Sequence, residues 1–154
     1  MRQVTDADYD FDIPIQTTGG TTHWRKLWNL KEGGFGYTAF VQAPVGSAMY
    51  GDPLGQVGCP YVVRGFDYGY VGVLWLSDLR AKLGQLETDP QHIHESSLRS
   101  TKAAARHGAP GAAEQLMIGV TQAYRILLTR GLKGIYLWFE DPETRRHVEG
   151  ALGE

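Results

Sequence analysis

The run Tyr70-Val71-Gly72-Val73-Leu74-Trp75-Leu76 is almost continuously apolar. A strand with one face in water alternates polar and apolar residues. An unbroken apolar run is the mark of a strand covered on both faces, as in the parallel sheets of α/β proteins. A second run, Gly134–Phe139, has the same character. Between them, Leu116, Val120, Ala123, Tyr124 and Leu127 recur at i, i+4, i+7, i+8 and i+11, so residues 112–129 are expected as a helix with one apolar face. Gly131 is its expected stop. Asp141-Pro142-Glu143 then opens a last helix, with Asp141 as N-cap and Pro142 in its first position. The order strand, strand, long helix, strand, helix predicts an α/β fold.

The chain has 154 residues, which suits a single domain over 1–154. Phe11, Ile13 and Ile15 alternate on one face of a short strand that Gly19 and Gly20 break. Residues 21–56 carry Trp24, Trp28, Phe35, Tyr37 and Phe40 among many glycines, which predicts irregular packing with a strand at Tyr37–Val41. Gln56–Val63 reads as a strand, and Arg64–Gly69 as a tight link. Residues 78–110 are polar and contain Pro90, Gly108 and Pro110, so they are expected to be a mobile insertion with some helix at Ser97–Arg106.

A net charge of −2 argues against a dedicated duplex-binding module, which is usually strongly basic. Cys59 is the lone cysteine, so neither an internal disulfide nor a cysteine-based zinc site can form. Its place in an expected buried strand favours inert burial over catalysis. A reducing, cytoplasmic setting is the default expectation, since neither a secretory signal nor an apolar run of the ~18 residues a span needs is evident.

Several constellations invite chemistry. Arg130 stands at the end of the long helix beside a glycine, where a planar guanidinium can reach a phosphate through two parallel bonds. The competing reading is that cations favour helix C-termini. Arg125, Arg130 and Lys133, with Arg99, Lys102 and Arg106, would make a basic surface for single-stranded nucleic acid, with Trp24, Trp28 or Phe35 as a stacking platform. Burial in the core is the stronger reading of those aromatics. Asp6, Asp8, Asp10 and Asp12 alternate along a solvated acidic arm, and the turn glycine of a calcium loop is absent from it. His92, His94, Glu95 and His107 match no zinc signature. No Gly-x-Ser-x-Gly turn and no cysteine with an organised histidine is present.

Tyr124-Arg125-Ile126-Leu127-Leu128-Thr129-Arg130-Gly131-Leu132-Lys133-Gly134 resembles motif VI of superfamily 1 helicases, and more narrowly that of the Schlafen-group-3-like DNA/RNA helicase family. Gln56-Val57-Gly58-Cys59 running to Tyr61, and Gly65-Phe66-Asp67 running to Tyr70-Val71-Gly72-Val73, together look like its motif V. Asp52-Pro53 and Trp28-Asn29 also fit, so the likeness spans roughly residues 8–150. It implies a partial RecA-like (P-loop NTPase-type) second lobe, with a mainly parallel sheet flanked by helices. By the same resemblance Arg130 is the arginine finger that touches the γ-phosphate of ATP held by a first lobe. Gly65, Asp67, Arg64 and Arg125 are the implied nucleotide-binding residues.

The family's motif V usually reads Thr-Ala-Gln-Gly-Phe-Glu-Phe-Asp. Here it reads Val62-Val63-Arg64-Gly65-Phe66-Asp67-Tyr68-Gly69. The apolar and glycine scaffold survives, whereas groups that would meet nucleotide or nucleic acid are replaced. A phosphate cradle of the Gly-x-x-x-x-Gly-Lys-Ser/Thr kind is also missing, since Gly19-Gly20-Thr21-Thr22 has no lysine. ATP and magnesium are therefore expected only with a protein partner that carries a P-loop lobe. Two functions follow from the resemblance. One is a catalytically incomplete module that binds a protein partner or single-stranded nucleic acid. The other is an ATPase half-site that lends Arg130 to such a partner. No membrane is expected as a partner.

Overall fold

A computed structural model describes residues 9–29, 43–46, 48–52 and 54–153. The chain divides into two compact units, residues 1–66 and 67–154. The first is built on an antiparallel hairpin of β1 (Phe11–Thr17) and β2 (Gly20–Trp28). The strand expected from Phe11, Ile13 and Ile15 continues to the glycine break, where Gly20 takes a φ of +118° that side chains avoid. Ile13 lies opposite Trp24, and the Phe11 and Trp28 rings sit 5.7 Å apart.

Asp10 and Asp12, two members of the acidic arm, have structural partners. The Trp28 amide donates to Asp10 at 2.7 Å, while Asp12 binds His23 and Arg25 across the hairpin. The His23 hydrogen bond, with Arg25 adding, holds the Asp12 carboxyl below its usual range. Asp6, Asp8, Phe35 and the strand expected at Tyr37–Val41 lie outside the described residues.

After α1 (Ala48–Gly51), β3 (Gln56–Val57) adds a two-residue parallel pairing to β2. The strand expected over Gln56–Val63 stops there. Pro60 has no N–H to give a ladder, and its fixed φ suits a first helical position, so α2 (Pro60–Val63) forms instead. Cys59 is buried as expected, but as the N-cap residue of α2 and not within a strand.

The second unit runs β4 (Tyr68–Trp75), a hairpin of β5 (Leu79–Lys82) and β6 (Gln85–Thr88), a 3-10 turn (Ser96–Leu98), α3 (Arg99–Arg106), α4 (Ala112–Leu128), β7 (Gly131–Phe139) and α5 (Pro142–Leu152). β4 and β7 pair in parallel. Trp75, Leu79, Ile93, Leu116, Val120 and Tyr124 form the core. The α4 face read from the sequence is the face that is buried. The helix ends differently from expectation: the Thr129 hydroxyl donates back to the carbonyls of Arg125 and Ile126, and Gly131 opens β7. Segment 78–110 supplies Leu79 and Ile93 to the core and Ala81 to the buried set. α5 begins as expected: Asp141 accepts from the Thr144 amide and hydroxyl, and the buried Thr144 oxygen accepts from the Ala81 amide at 2.9 Å.

Mixed α/β architecture is therefore present, but among the described residues there is no mainly parallel sheet. The parallel pairings are the β4–β7 pair and the short β2–β3 bridge, while β1–β2 and β5–β6 are antiparallel. Nor is β4 covered on both faces. Val73 and Trp75 point into the core, and on the other face Tyr70 and Tyr136 stay 59% and 69% exposed. The run is apolar in sequence, yet the core built by α4 and the β5–β6 segment lies against one side of it.

Candidate nucleotide and nucleic-acid site

Arg130 follows the C-terminal turn of α4 and precedes β7. Its carbonyl accepts from the Tyr68 amide at 2.9 Å, which ties it to the start of β4. Its guanidinium Nη1 lies 3.3 Å from Oδ1 of Asp67, and Nη2 donates to the Thr129 hydroxyl at 3.2 Å. The structure thus joins two residues singled out from separate motifs. The Arg130 side chain is 27% exposed and Asp67 is 54% exposed, while the buried Arg130 Nε has no hydrogen-bond partner. A half-exposed ion pair of this kind contributes about 0–1 kcal/mol, so Asp67 holds the guanidinium loosely.

The backbone here requires glycine. A Cβ on Gly131 would sit 2.4 Å from the Gly134 carbonyl oxygen. Tyr68 pairs with Gly131 and Tyr70 with Gly134, so β7 carries one extra residue against β4. Such a bulge re-aims side chains and is common beside functional sites. In the first unit, the Phe66 amide donates to the Val63 carbonyl across Arg64 and Gly65. Arg64 is extended and Gly65 has a φ of +88°, as a type II turn requires. Arg64 lies over the Tyr61 ring, 5.4 Å from its centroid. Arg125 is exposed on the last turn of α4. Of the expected nucleotide-binding residues, only Asp67 is placed against Arg130 within one unit.

The open face of β4 and β7 carries Tyr70, Tyr136 and Trp138, with the two tyrosine rings 6.0 Å apart. It is a different set from Trp24, Trp28 and Phe35. Trp24 is half-buried in the first unit, Trp28 is exposed there beside Phe11, and Phe35 is outside the described residues.

The opposite, carboxyl ends of β4 and β7 hold a cluster that sequence reasoning missed. The Tyr124 hydroxyl donates to Asp78 at 2.7 Å and accepts from the Leu76 amide at 3.1 Å. Burial raises the Asp78 carboxyl above its usual range, although the Tyr124 hydrogen bond opposes this. Burial, reinforced by Asp78, pushes the Tyr124 hydroxyl well above the ordinary phenol. Ser77 donates to Glu140 at 2.6 Å. The only sequence signal was an acid directly after an apolar strand, which does not reveal its partner. Among the described residues, no group of three or more His, Cys, Asp or Glu side chains is set to hold a metal, and no helix is long and apolar enough to cross a membrane.

Residues 4–141 match the family described as Schlafen group 3, DNA/RNA helicase domain. That match covers most of the chain, and the chain belongs to this family. An uncharacterized protein of Saccharomyces cerevisiae is 26% identical over 99 residues, which make up 63% of this chain and 21% of the relative. The chain therefore aligns with about a fifth of that relative's length. No solved structure matches the chain.

Proposed function

We propose that this chain is a RecA-like second lobe of the helicase type that binds single-stranded nucleic acid and is catalytically incomplete by itself. Membership of a DNA/RNA helicase domain family supports the nucleic-acid part. The observation that carries the rest is the Arg130–Asp67 pair. The motif VI arginine faces a carboxylate of the same chain, which carries no lysine loop to bring a phosphate to it. An arginine aimed at an acid, without a cradle, binds charge but does not turn over ATP. The test uses the full chain with a fluorescent twenty-nucleotide deoxythymidine strand. Anisotropy should report binding at low salt, and ATP should not be hydrolysed with or without the strand. Failure to bind refutes the nucleic-acid assignment. ATP turnover by the isolated chain that Arg130→Ala abolishes refutes catalytic incompleteness.

A second reading has its own support. The pair is half-exposed and weak, and Arg130 Nε is unpartnered, so a phosphate presented by a P-loop partner with ATP and magnesium can displace Asp67. In that case the complex recovered from the native cell hydrolyses ATP, and Arg130→Ala in this chain removes the activity. Unchanged turnover in that variant ends the arginine-finger role.

A further inference from the structure

α3 has an unusual division of charge. Arg99, Lys102 and Arg106 recur at i, i+3 and i+7 and so share one face, spread over about 10 Å of helix. Ala105, on the flank of the helix beside Lys102, packs with Leu98 of the preceding turn against the core. Residues 93–96 fold back across the basic face. Together they form a concavity of about 440 Å³, whose lining includes Ile93, His94, Glu95, Arg99, Lys102 and Arg106.

Two of the three cations are positioned by neutral acceptors. Lys102 donates to the Ile93 carbonyl, and Arg106 donates to the Pro90 carbonyl at 3.2 Å. A carbonyl satisfies an N–H but leaves the charge uncompensated. The one carboxylate in the lining, Glu95, accepts from the Ser97 amide at 3.1 Å and caps the 3-10 turn. Among the described residues, none of Arg99, Lys102 and Arg106 has an ion-pair partner. Elsewhere, Arg25, Lys26, Arg80, Lys82, Arg130 and Arg145 have one, while the dispersed Arg64, Arg125, Lys133 and Arg146 have none among the described residues. Three cations without an ion-pair partner thus share one groove in a chain with a net charge of −2, and backbone carbonyls hold two of them.

We infer that the α3 groove binds the phosphate backbone of single-stranded nucleic acid, with Arg99, Lys102 and Arg106 as the phosphate contacts. The inference deepens the nucleic-acid reading above and rests on it. Three cations on one face match a linear polyanion such as a single-strand backbone. Each phosphate neutralised on a single strand steepens the salt dependence of binding by about 0.7 in log–log slope. Removing two contacts therefore flattens the slope by about 1.4, so the loss of affinity between about 50 and 200 mM salt shrinks roughly sevenfold.

The experiment measures anisotropy of the deoxythymidine strand against salt for the wild-type chain and for the double variant Arg99→Gln/Arg106→Gln. Arg146→Gln, an exposed α5 arginine, serves as a control for loss of one bulk charge. Because Arg106 also holds Pro90, Arg99→Gln alone is included, with half the slope change expected and helix content checked by circular dichroism. The expected result is a flattened slope in both groove variants and an unchanged slope in Arg146→Gln. Wild-type binding with groove variants indistinguishable from Arg146→Gln overturns the groove assignment and leaves the broader reading intact. Absence of binding by the wild-type chain overturns both.

Discussion

Tyr124→Phe deletes one oxygen at the junction of α4 with the carboxyl end of β4. That oxygen donates to Asp78 at 2.7 Å and accepts from the Leu76 amide at 3.1 Å, while the ring stays packed on Trp75 at 4.6 Å. Phenylalanine keeps the ring, so the cost falls on the two partners. A hydrogen bond to a charged group contributes about 1.5–3 kcal/mol, and one to a neutral group about 1 kcal/mol. The pH dependence has a definite sign. Burial raises the folded Asp78 carboxyl above its unfolded value, so the folded state binds more protons in that window and its contribution to stability falls as pH rises through it. In the wild type the Tyr124 hydroxyl offsets that loss by bonding the charged form. In Tyr124→Phe the folded Asp78 is raised further. Urea melts followed by tryptophan fluorescence at about pH 4.5 and about pH 7.5 read the difference. The variant should be about 1 kcal/mol less stable in acid and about 2–3 kcal/mol less stable at neutral pH. A deficit that is constant, or larger in acid, would refute the assignment of that hydroxyl to a charged Asp78.

Two further outcomes follow from named contacts. Asp67→Asn frees Arg130 at a stability cost under about 1 kcal/mol, and the tripolyphosphate affinity of the chain should rise severalfold in calorimetric titration. An unchanged affinity would mean that Asp67 does not compete for the guanidinium. Thr144→Val leaves the Ala81 amide without its acceptor in a buried place, which costs about 1–3 kcal/mol. At about 4–8 °C per kcal/mol for a unit of this size, the melting temperature should drop measurably, and a shift within error would show that the β5–α5 bond contributes nothing.

What could be read in the sequence was what short-range chemistry decides. The α4 face follows from a 3.6-residue period, and the α5 cap follows from Asp141-Pro142, because both are settled within one or two turns of chain. Pro60 shows the limit of pattern. Gln56–Val63 has strand-like composition, but the missing N–H and fixed φ of one residue end the strand after Val57. Segment 78–110 is polar in composition, yet Leu79 and Ile93, with Leu86 beside them, suffice to join it to the core. The meeting of Arg130 with Asp67 depends on a parallel pairing between distant segments and was accessible only through family resemblance. Arg99, Lys102 and Arg106 were visible as basic residues. Their concavity was not, because it depends on how residues 93–96 fold back over them.

The two ends of the β4–β7 pair separate structural polarity from polarity available to a ligand. At the carboxyl ends, the Tyr124 hydroxyl bonds Asp78 at 2.7 Å and the Leu76 amide at 3.1 Å, which spends its hydrogen-bonding capacity inside the fold, and Ser77 bonds Glu140 at 2.6 Å at the surface. At the amino ends, Arg130 meets a half-exposed carboxylate at 3.3 Å and keeps a buried Nε with no acceptor. An unsatisfied buried donor costs about 1–3 kcal/mol, a cost that an incoming phosphate oxygen can relieve and a saturated cluster cannot offer. The α3 groove is incomplete in another way: Lys102 and Arg106 have carbonyl acceptors, but none of its three cations has an ion-pair partner among the described residues. Incomplete compensation, rather than the mere presence of charged residues, is the ground on which the amino end of the strand pair and the α3 groove are proposed as polyanion sites.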